Sequence, residues 1–122
     1  MNYTSAGGDL AFIVTDGTGP GGTEKWFRAK DLINSITPDV WFHVVGVYDN
    51  DPLDPKVRLY KDGIEVAAID GPSALQSNTE TVTIGASDDN DQNWDGIIDE
   101  VRISDTARSA DWILASYTNK DD

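Results

Sequence analysis

Short apolar runs separated by Gly, Asp, Asn and Pro are the feature that most constrains the fold of this chain. The first apolar run, residues 10–14, is rich in strand-forming residues and ends at Asp16-Gly17. Turn residues recur at this spacing along most of the sequence, which favours an all-β, antiparallel β-sandwich over a helical or α/β fold. The predicted strands span residues 10–14, 25–29, 40–48, 56–61, 64–69, 80–84 and 97–103.

Two of these predictions rest on strong local signals. Residues 56–61 alternate polar and apolar side chains, and Asp62-Gly63, the dipeptide that a type I′ turn prefers, connects them to residues 64–69 in a predicted hairpin. Residues 40–48 are nearly all apolar, which predicts a central strand buried on both faces. Residues 109–115 form the one good helix candidate, with Ser109 as its N-cap and Trp112 on its buried face.

The length and charge of the chain limit the classes of function. A length of 122 residues fits one domain, predicted here to span residues 1–122. The formal net charge of -13 disfavours binding to nucleic acid or to an anionic membrane surface. Because no apolar run approaches about 20 residues, membrane insertion is not expected. The chain has no cysteine, which excludes disulfides and thiolate metal sites.

Five segments, in the right order and spacing, resemble the laminin G-like domains of the concanavalin A-like lectin/glucanase superfamily, in the form seen in prokaryotic surface proteins. They are residues 41–49, 59–63, 83–85, 95–103 and 107–113. The resemblance implies a jelly-roll sandwich with an extracellular or cell-surface location. The family pattern begins with strands that have no counterpart before residues 8–14, so the domain is interpreted as N-terminally shortened. Open sheet edges would follow, and these predict a homodimer.

The acidic loop before residue 97 is a candidate calcium site. Asp91, Asn93 and Asp95 with the following glycine match the opening of an EF-hand loop, but its twelfth position is Arg102 and a strand is predicted to follow. A looser oxygen cage for Ca²⁺ and a solvated polar turn both remain open. The family resemblance adds Asp99 as a further candidate ligand, with capping of a turn or pairing to Arg102 or Arg108 as its alternatives.

The tryptophans suggest where a glycan would bind, because the C–H face of a sugar stacks on an exposed aromatic ring while polar side chains take its hydroxyls. Trp94 and Trp26 are the candidate stacking residues, with Asn93 and Asp91 as hydrogen-bonding partners. Packing of Trp94 under its loop is the alternative. Trp41 is expected to belong to the core. A second acidic segment, residues 49–54, is interpreted as a solvated turn, with a second cation site as its alternative.

No catalytic pattern accompanies these features. Glycan hydrolases of this fold place carboxylates as Glu-x-Asp-x-x-Glu on one strand, and none of the four Glu residues makes that pattern. A lone histidine, His43, in an apolar strand is more typical of a core residue than of a catalyst. The sequence therefore predicts a non-catalytic module that binds carbohydrate, with calcium as a candidate structural ion. The alternative is an adhesion or spacer domain that binds a surface protein; a glycoside hydrolase-like enzyme is less favoured.

Overall fold

The computed structural model describes residues 9–18, 24–31, 36–79, 81–86 and 93–119. The chain forms two compact units, residues 1–76 with 107–122 and residues 77–106. The prediction of one domain over residues 1–122 stays a prediction. The described elements, all in the larger unit, are strands β1 (Ala11–Thr15), β2 (Trp26–Lys30), β3 (Val44–Asp49), β4 (Lys56–Lys61) and β5 (Ile64–Asp70), and helix α1 (Ala110–Thr118).

The larger unit contains two antiparallel sheets, β1-β2 and β3-β4-β5. With α1, this arrangement confirms the predicted fold class of antiparallel sheets and one short C-terminal helix. The β4-β5 hairpin is also confirmed, and both turn residues have positive φ, 51° at Asp62 and 79° at Gly63, as a type I′ turn requires. The register shifts at Leu59/Tyr60 and places Tyr60 opposite Glu65.

The main core lies on the inner face of these sheets. Val14 from β1, Ala29 from β2, and Val57 and Leu59 from β4 are buried together. Alternation along β4 explains this arrangement, since residues two apart on a strand point to the same face. Phe12 lies directly over Gly46 of β3, where an added Cβ would be 2.2 Å from the ring. A side chain at residue 46 would therefore clash with the Phe12 ring unless that ring moved.

Helix α1 packs on the opposite, outer face of the three-stranded sheet. Ser109 is its N-cap, and the Ser109 hydroxyl accepts a hydrogen bond from the backbone N–H of Trp112 at 3.2 Å. Ile113 is fully buried against Val47 and Tyr60. The expectation that Trp112 lies on the buried face is wrong, because Ile113 occupies that face and Trp112 is 42% exposed.

The long apolar run at residues 40–48 forms a shorter strand than predicted, in a different position. The strand β3 begins at Val44 and, within the described residues, lies at an edge of its sheet, with β4 in the centre. The predicted central position is therefore wrong, as is the assignment of Trp41 to the core, since Trp41 precedes the strand and is 64% exposed. The apolar composition of this run did not reveal how many neighbours the strand has.

The smaller unit differs most from the sequence prediction. Residues 97–103 form no strand, because Glu100 has a φ of 57°, a left-handed conformation that a regular strand cannot contain. The described part of the other predicted strand, residues 81–84, is also without strand structure. Among the described residues of this unit, β-pairing is limited to an isolated antiparallel bridge between Ala86 and Asn93.

Candidate functional site

A cleft on the outer face of the three-stranded sheet is the candidate site. Strand alternation brings Val47, Asp49, Arg58 and Tyr60 to this face, and the start of α1 forms the opposite wall. The cleft has a volume of about 480 Å³, within the range of roughly 300–1,000 Å³ typical of small-ligand sites. Its lining residues are Val47, Asp49, Arg58, Tyr60, Glu65, Ala107, Arg108, Ser109 and Ala110.

Arg58 connects the two carboxylates of the cleft. Its Nε lies 3.4 Å from Glu65 Oε2, and its Nη1 lies 3.9 Å from Asp49 Oδ2. The Arg58 side chain is 29% exposed, so these interactions lie at the border between sheet and solvent. A guanidinium between two carboxylates attracts both, and all three side chains line the cleft.

Tyr60 forms part of the cleft floor. The residue is only 5% exposed, and its hydroxyl donates a hydrogen bond of 3.1 Å to Glu65 Oε2. Burial, followed by the hydrogen bond and negative charge of Glu65, raises the pKa of Tyr60 above its ordinary value of 10.0, although Arg58 opposes this shift. The phenol is therefore neutral at physiological pH and remains a hydrogen-bond donor.

Arg108 stands on the helix side of the cleft. Its guanidinium carbon lies 4.9 Å from the centre of the Trp112 ring, a cation–π distance. Unlike Arg58, it forms no ion pair with any residue in the described part of the chain. Next to it, Ser109 and Ala110 begin the helix, where backbone N–H groups have no intrahelical acceptor. This wall therefore presents hydrogen-bond donors, whereas the sheet wall presents carboxylate acceptors.

Comparison with known proteins identifies the family of this chain. A family model described as the concanavalin A-like lectin/glucanases superfamily matches residues 1–114. The chain belongs to this superfamily. The resemblance seen in the sequence motifs is thereby confirmed for this concanavalin A-like domain. A search of curated proteins found no match.

The concanavalin A-like domain is also similar to a solved structure, an S-layer domain-containing protein (residues 221–444) from Clostridium thermocellum ATCC 27405, at 27% sequence identity and a TM-score of 0.53. The match covers 90% of this chain and 52% of the other, so the chain spans about half the length of the solved relative. No helix in the described ranges has the length and apolarity needed to cross a bilayer.

The predicted aromatic residues are exposed but lie in different units of the domain. Trp94, 41% exposed, belongs to the smaller unit, where its backbone N–H donates to the Gly85 carbonyl at 2.7 Å. Its indole is packed close to Gly96, where an added Cβ would lie 2.8 Å from Trp94 Nε1. Trp26, 52% exposed, lies on β2 with the Arg28 guanidinium 4.9 Å above its ring.

The predicted calcium ligands are only partly described. Asn93, Asp95 and Asp99 lie in the smaller unit, whereas Asp91 lies outside the described residues. Asp99 Oδ1 accepts a hydrogen bond from the backbone N–H of Glu100 at 2.9 Å. Among the described residues, no group of three or more histidine, aspartate or glutamate side chains could hold a metal ion. Calcium binding therefore stays a prediction for the acidic loop.

Sequence reasoning missed the cleft residues. Asp49 was assigned to a solvated turn, although it ends β3 and faces Arg58. The alternation of residues 56–61 did indicate that Arg58 and Tyr60 share a face, but it did not show that a helix would cover part of that face. The predicted hairpin was the one signal in the sequence that could have found part of the cleft. It places strand β5, which carries Glu65, beside Arg58 and Tyr60.

Proposed function

We propose that this domain is a non-catalytic carbohydrate-binding module of a cell-surface protein. The cleft between the outer sheet face and α1 is the observation that carries the proposal. Asp49 and Glu65 supply acceptors for sugar hydroxyls, and Arg108 supplies donors, in a volume suited to a small part of a glycan chain. The superfamily, whose name includes lectins, supports the same assignment.

The arrangement of the two cleft carboxylates favours binding over hydrolysis. Glycoside hydrolysis needs one carboxyl group to protonate the leaving oxygen and a second to act as nucleophile or base. Both Asp49 and Glu65 interact with Arg58, and Glu65 also accepts from Tyr60. Because neither carboxylate is free of these partners, we propose that they serve as fixed hydrogen-bond acceptors.

The cell-surface part of the proposal comes from the solved relative, whose title describes an S-layer domain-containing protein. A glycan-binding domain in such a protein would meet its ligand outside the cytoplasm. We expect the domain to bind polysaccharide and not nucleic acid, because a net charge of -13 repels a phosphate backbone.

Isothermal titration of the purified domain against a panel of soluble neutral and acidic polysaccharides tests the proposal. We expect at least one polysaccharide to bind and Glu65→Gln to weaken that binding, because the amide is a poorer acceptor than the carboxylate. Glu24→Gln is the matched control, since Glu24 is exposed and does not line the cleft. Binding that is lost in Trp94→Ala but retained in Glu65→Gln would move the site to the acidic loop. If no polysaccharide binds, the carbohydrate proposal is wrong.

We propose calcium only as a structural ion of the acidic loop, held by Asp91, Asn93, Asp95 and Asp99. An ion that binds the folded state alone raises Tm. Melting with Ca²⁺ and with EDTA tests this, and Asp95→Asn should remove the difference. The same Tm in both solutions would leave these residues as ordinary turn formers.

Protein binding is the second candidate function, and the smaller unit favours it. Val82, Ile97 and Ile103 are each more than 70% exposed there, and burial of such apolar side chains against a partner would be favourable. A homodimer is one such assembly. Size-exclusion chromatography with light scattering would detect it as a doubled mass that Ile103→Asp reduces, whereas a wild-type monomer would rule out self-association at the concentration measured.

A further inference from the structure

We infer that the cleft selects a sugar residue that carries a carboxylate, such as a uronic acid unit of an acidic polysaccharide, and that Arg108 binds this carboxylate. The inference rests on the proposed function and names its ligand class. The two arginines that line the cleft, Arg58 and Arg108, have unequal partners.

Arg58 has two carboxylates within 3.9 Å, and these neutralise its charge inside the protein. Arg108, on the opposite wall, has an aromatic neighbour and no ion pair within the described ranges. The Trp112 ring orients the guanidinium without using its N–H donors, because a cation–π contact involves the face of the ring. Arg108 therefore keeps a fork of donors, the geometry that matches a carboxylate.

The groups that line the cleft next to Arg108 on the helix side are uncharged hydrogen-bond donors. The Ser109 hydroxyl accepts from the Trp112 backbone N–H and retains its own proton for donation. Ala110, at the first helical position, lines the cleft beside it. Asp111 already places a negative charge in the first turn of α1, so Arg108 and not the helix dipole carries the preference for a carboxylate.

The sheet side of the cleft requires the opposite chemistry. Asp49 and Glu65 accept hydrogen bonds but repel a ligand carboxylate placed next to them. A ligand that satisfies both walls must present a carboxylate at one end and hydroxyl donors at the other. A uronic acid combines both groups on a single ring, whereas a neutral hexose would leave the Arg108 donors without an anionic partner.

The net charge of -13 does not prevent this recognition at physiological ionic strength. The Debye length is then about 8 Å, so charges distant from the cleft are largely screened, whereas direct contact with Arg108 is not. The long-range repulsion predicts that moderate salt accelerates association. High salt should still weaken the complex once the direct ion pair is screened.

The test is titration of the domain at about 0.15 M salt with oligogalacturonate and with its carboxyl-reduced form, which has the same backbone without the charge. We expect binding of the acidic form only, with a loss of roughly ten- to a hundredfold in Arg108→Gln. Arg28→Gln is the matched control, because Arg28 stacks on Trp26 at the same 4.9 Å but lies outside the cleft. The control should bind like the wild type.

Each other result has a definite meaning. Equal binding of both oligosaccharides, or an Arg108→Gln variant that binds as tightly as Arg28→Gln, overturns the inference and leaves the proposed carbohydrate function in place. If neither these nor any other polysaccharide binds, both fail. Binding of a poly-glutamate peptide in place of the oligogalacturonate would overturn the sugar assignment, because the carboxylate would then be recognised on a polypeptide.

Discussion

Replacement of Gly46 by alanine should destabilise the domain through one identifiable clash. The new methyl carbon would lie 2.2, 2.4 and 2.7 Å from three atoms of the Phe12 ring. Carbon atoms in contact prefer a separation of about 3.5 Å or more, so the ring would have to move by more than about 1 Å. Phe12 packs against the main core, so such a movement disturbs the buried residues beneath it.

The expected cost is about 1–3 kcal/mol, the usual range for overpacking a well-packed interior. With an unfolding entropy of about 2.1 cal/mol/K per residue, each kcal/mol lowers the Tm of a chain of this size by about 4 °C. The variant should therefore melt about 4–12 °C below the wild type in scanning calorimetry.

Two further variants separate the clash from a general effect of losing a glycine. Gly17→Ala is the control, because its added Cβ would meet only the Gln76 side chain at 3.7 Å, an ordinary contact distance. A double-mutant cycle with Phe12→Leu removes the clashing ring, so Gly46→Ala should cost much less in that background. The proposed clash is refuted if Gly46→Ala has the same Tm as the wild type. It is also refuted if Gly46→Ala lowers the free energy of unfolding equally in the presence of Phe12 and of Leu at that position.

Three other predictions concern the outer face and α1. Ile113→Ala should lower the free energy of unfolding by about 2–5 kcal/mol in urea titrations, because Ile113 is fully buried; a loss below 0.5 kcal/mol (roughly the level of a surface change) would contradict the packing. Ser109→Ala should cost about 0.5–2 kcal/mol, since it removes the cap on Trp112 N–H, whereas Ser109→Asp should retain most of the stability. The raised pKa of Tyr60 means that its contribution to stability is complete below pH 10 and is lost as the pH rises towards its folded pKa. Thermal melting between pH 8 and 11 (roughly the range around the ordinary tyrosine pKa) should show that Tm falls less with rising pH in Tyr60→Phe than in the wild type. If Tm falls equally in both proteins, groups other than Tyr60 cause the alkaline loss of stability.

The parts of the fold that the sequence predicted are those with local causes. The hairpin is set by two adjacent residues that must adopt positive φ, and Asp62 and Gly63 are suited to that conformation. Helix α1 likewise begins at a residue whose own side chain caps it. Each signal lies within a few residues of the structure that it produces.

Features that depend on distant neighbours were predicted less well. The apolar run at residues 40–48 indicated a strand, but its position at an edge depends on which strands pair with it. Residues 97–103 have the composition of a strand, yet Glu100 adopts a left-handed conformation that composition does not indicate. The cleft depends on where α1 packs, and the hydrophobic pattern of the helix suggested Trp112 as a buried residue when Ile113 takes that place.

The way α1 covers the sheet has a consequence for ligand binding. Ile113 packs on Val47 and Tyr60, and the helix thereby covers one part of the outer face and forms a wall beside the rest, where Arg58 and Glu65 are found. Because one wall is the helix itself, a ligand in the cleft would bind only when the helix is docked, and by linkage it would stabilise the docked state. Ile113→Ala should therefore weaken ligand binding although Ile113 does not line the cleft. A fully folded Ile113→Ala variant with wild-type affinity would show that the helix wall does not contribute to binding.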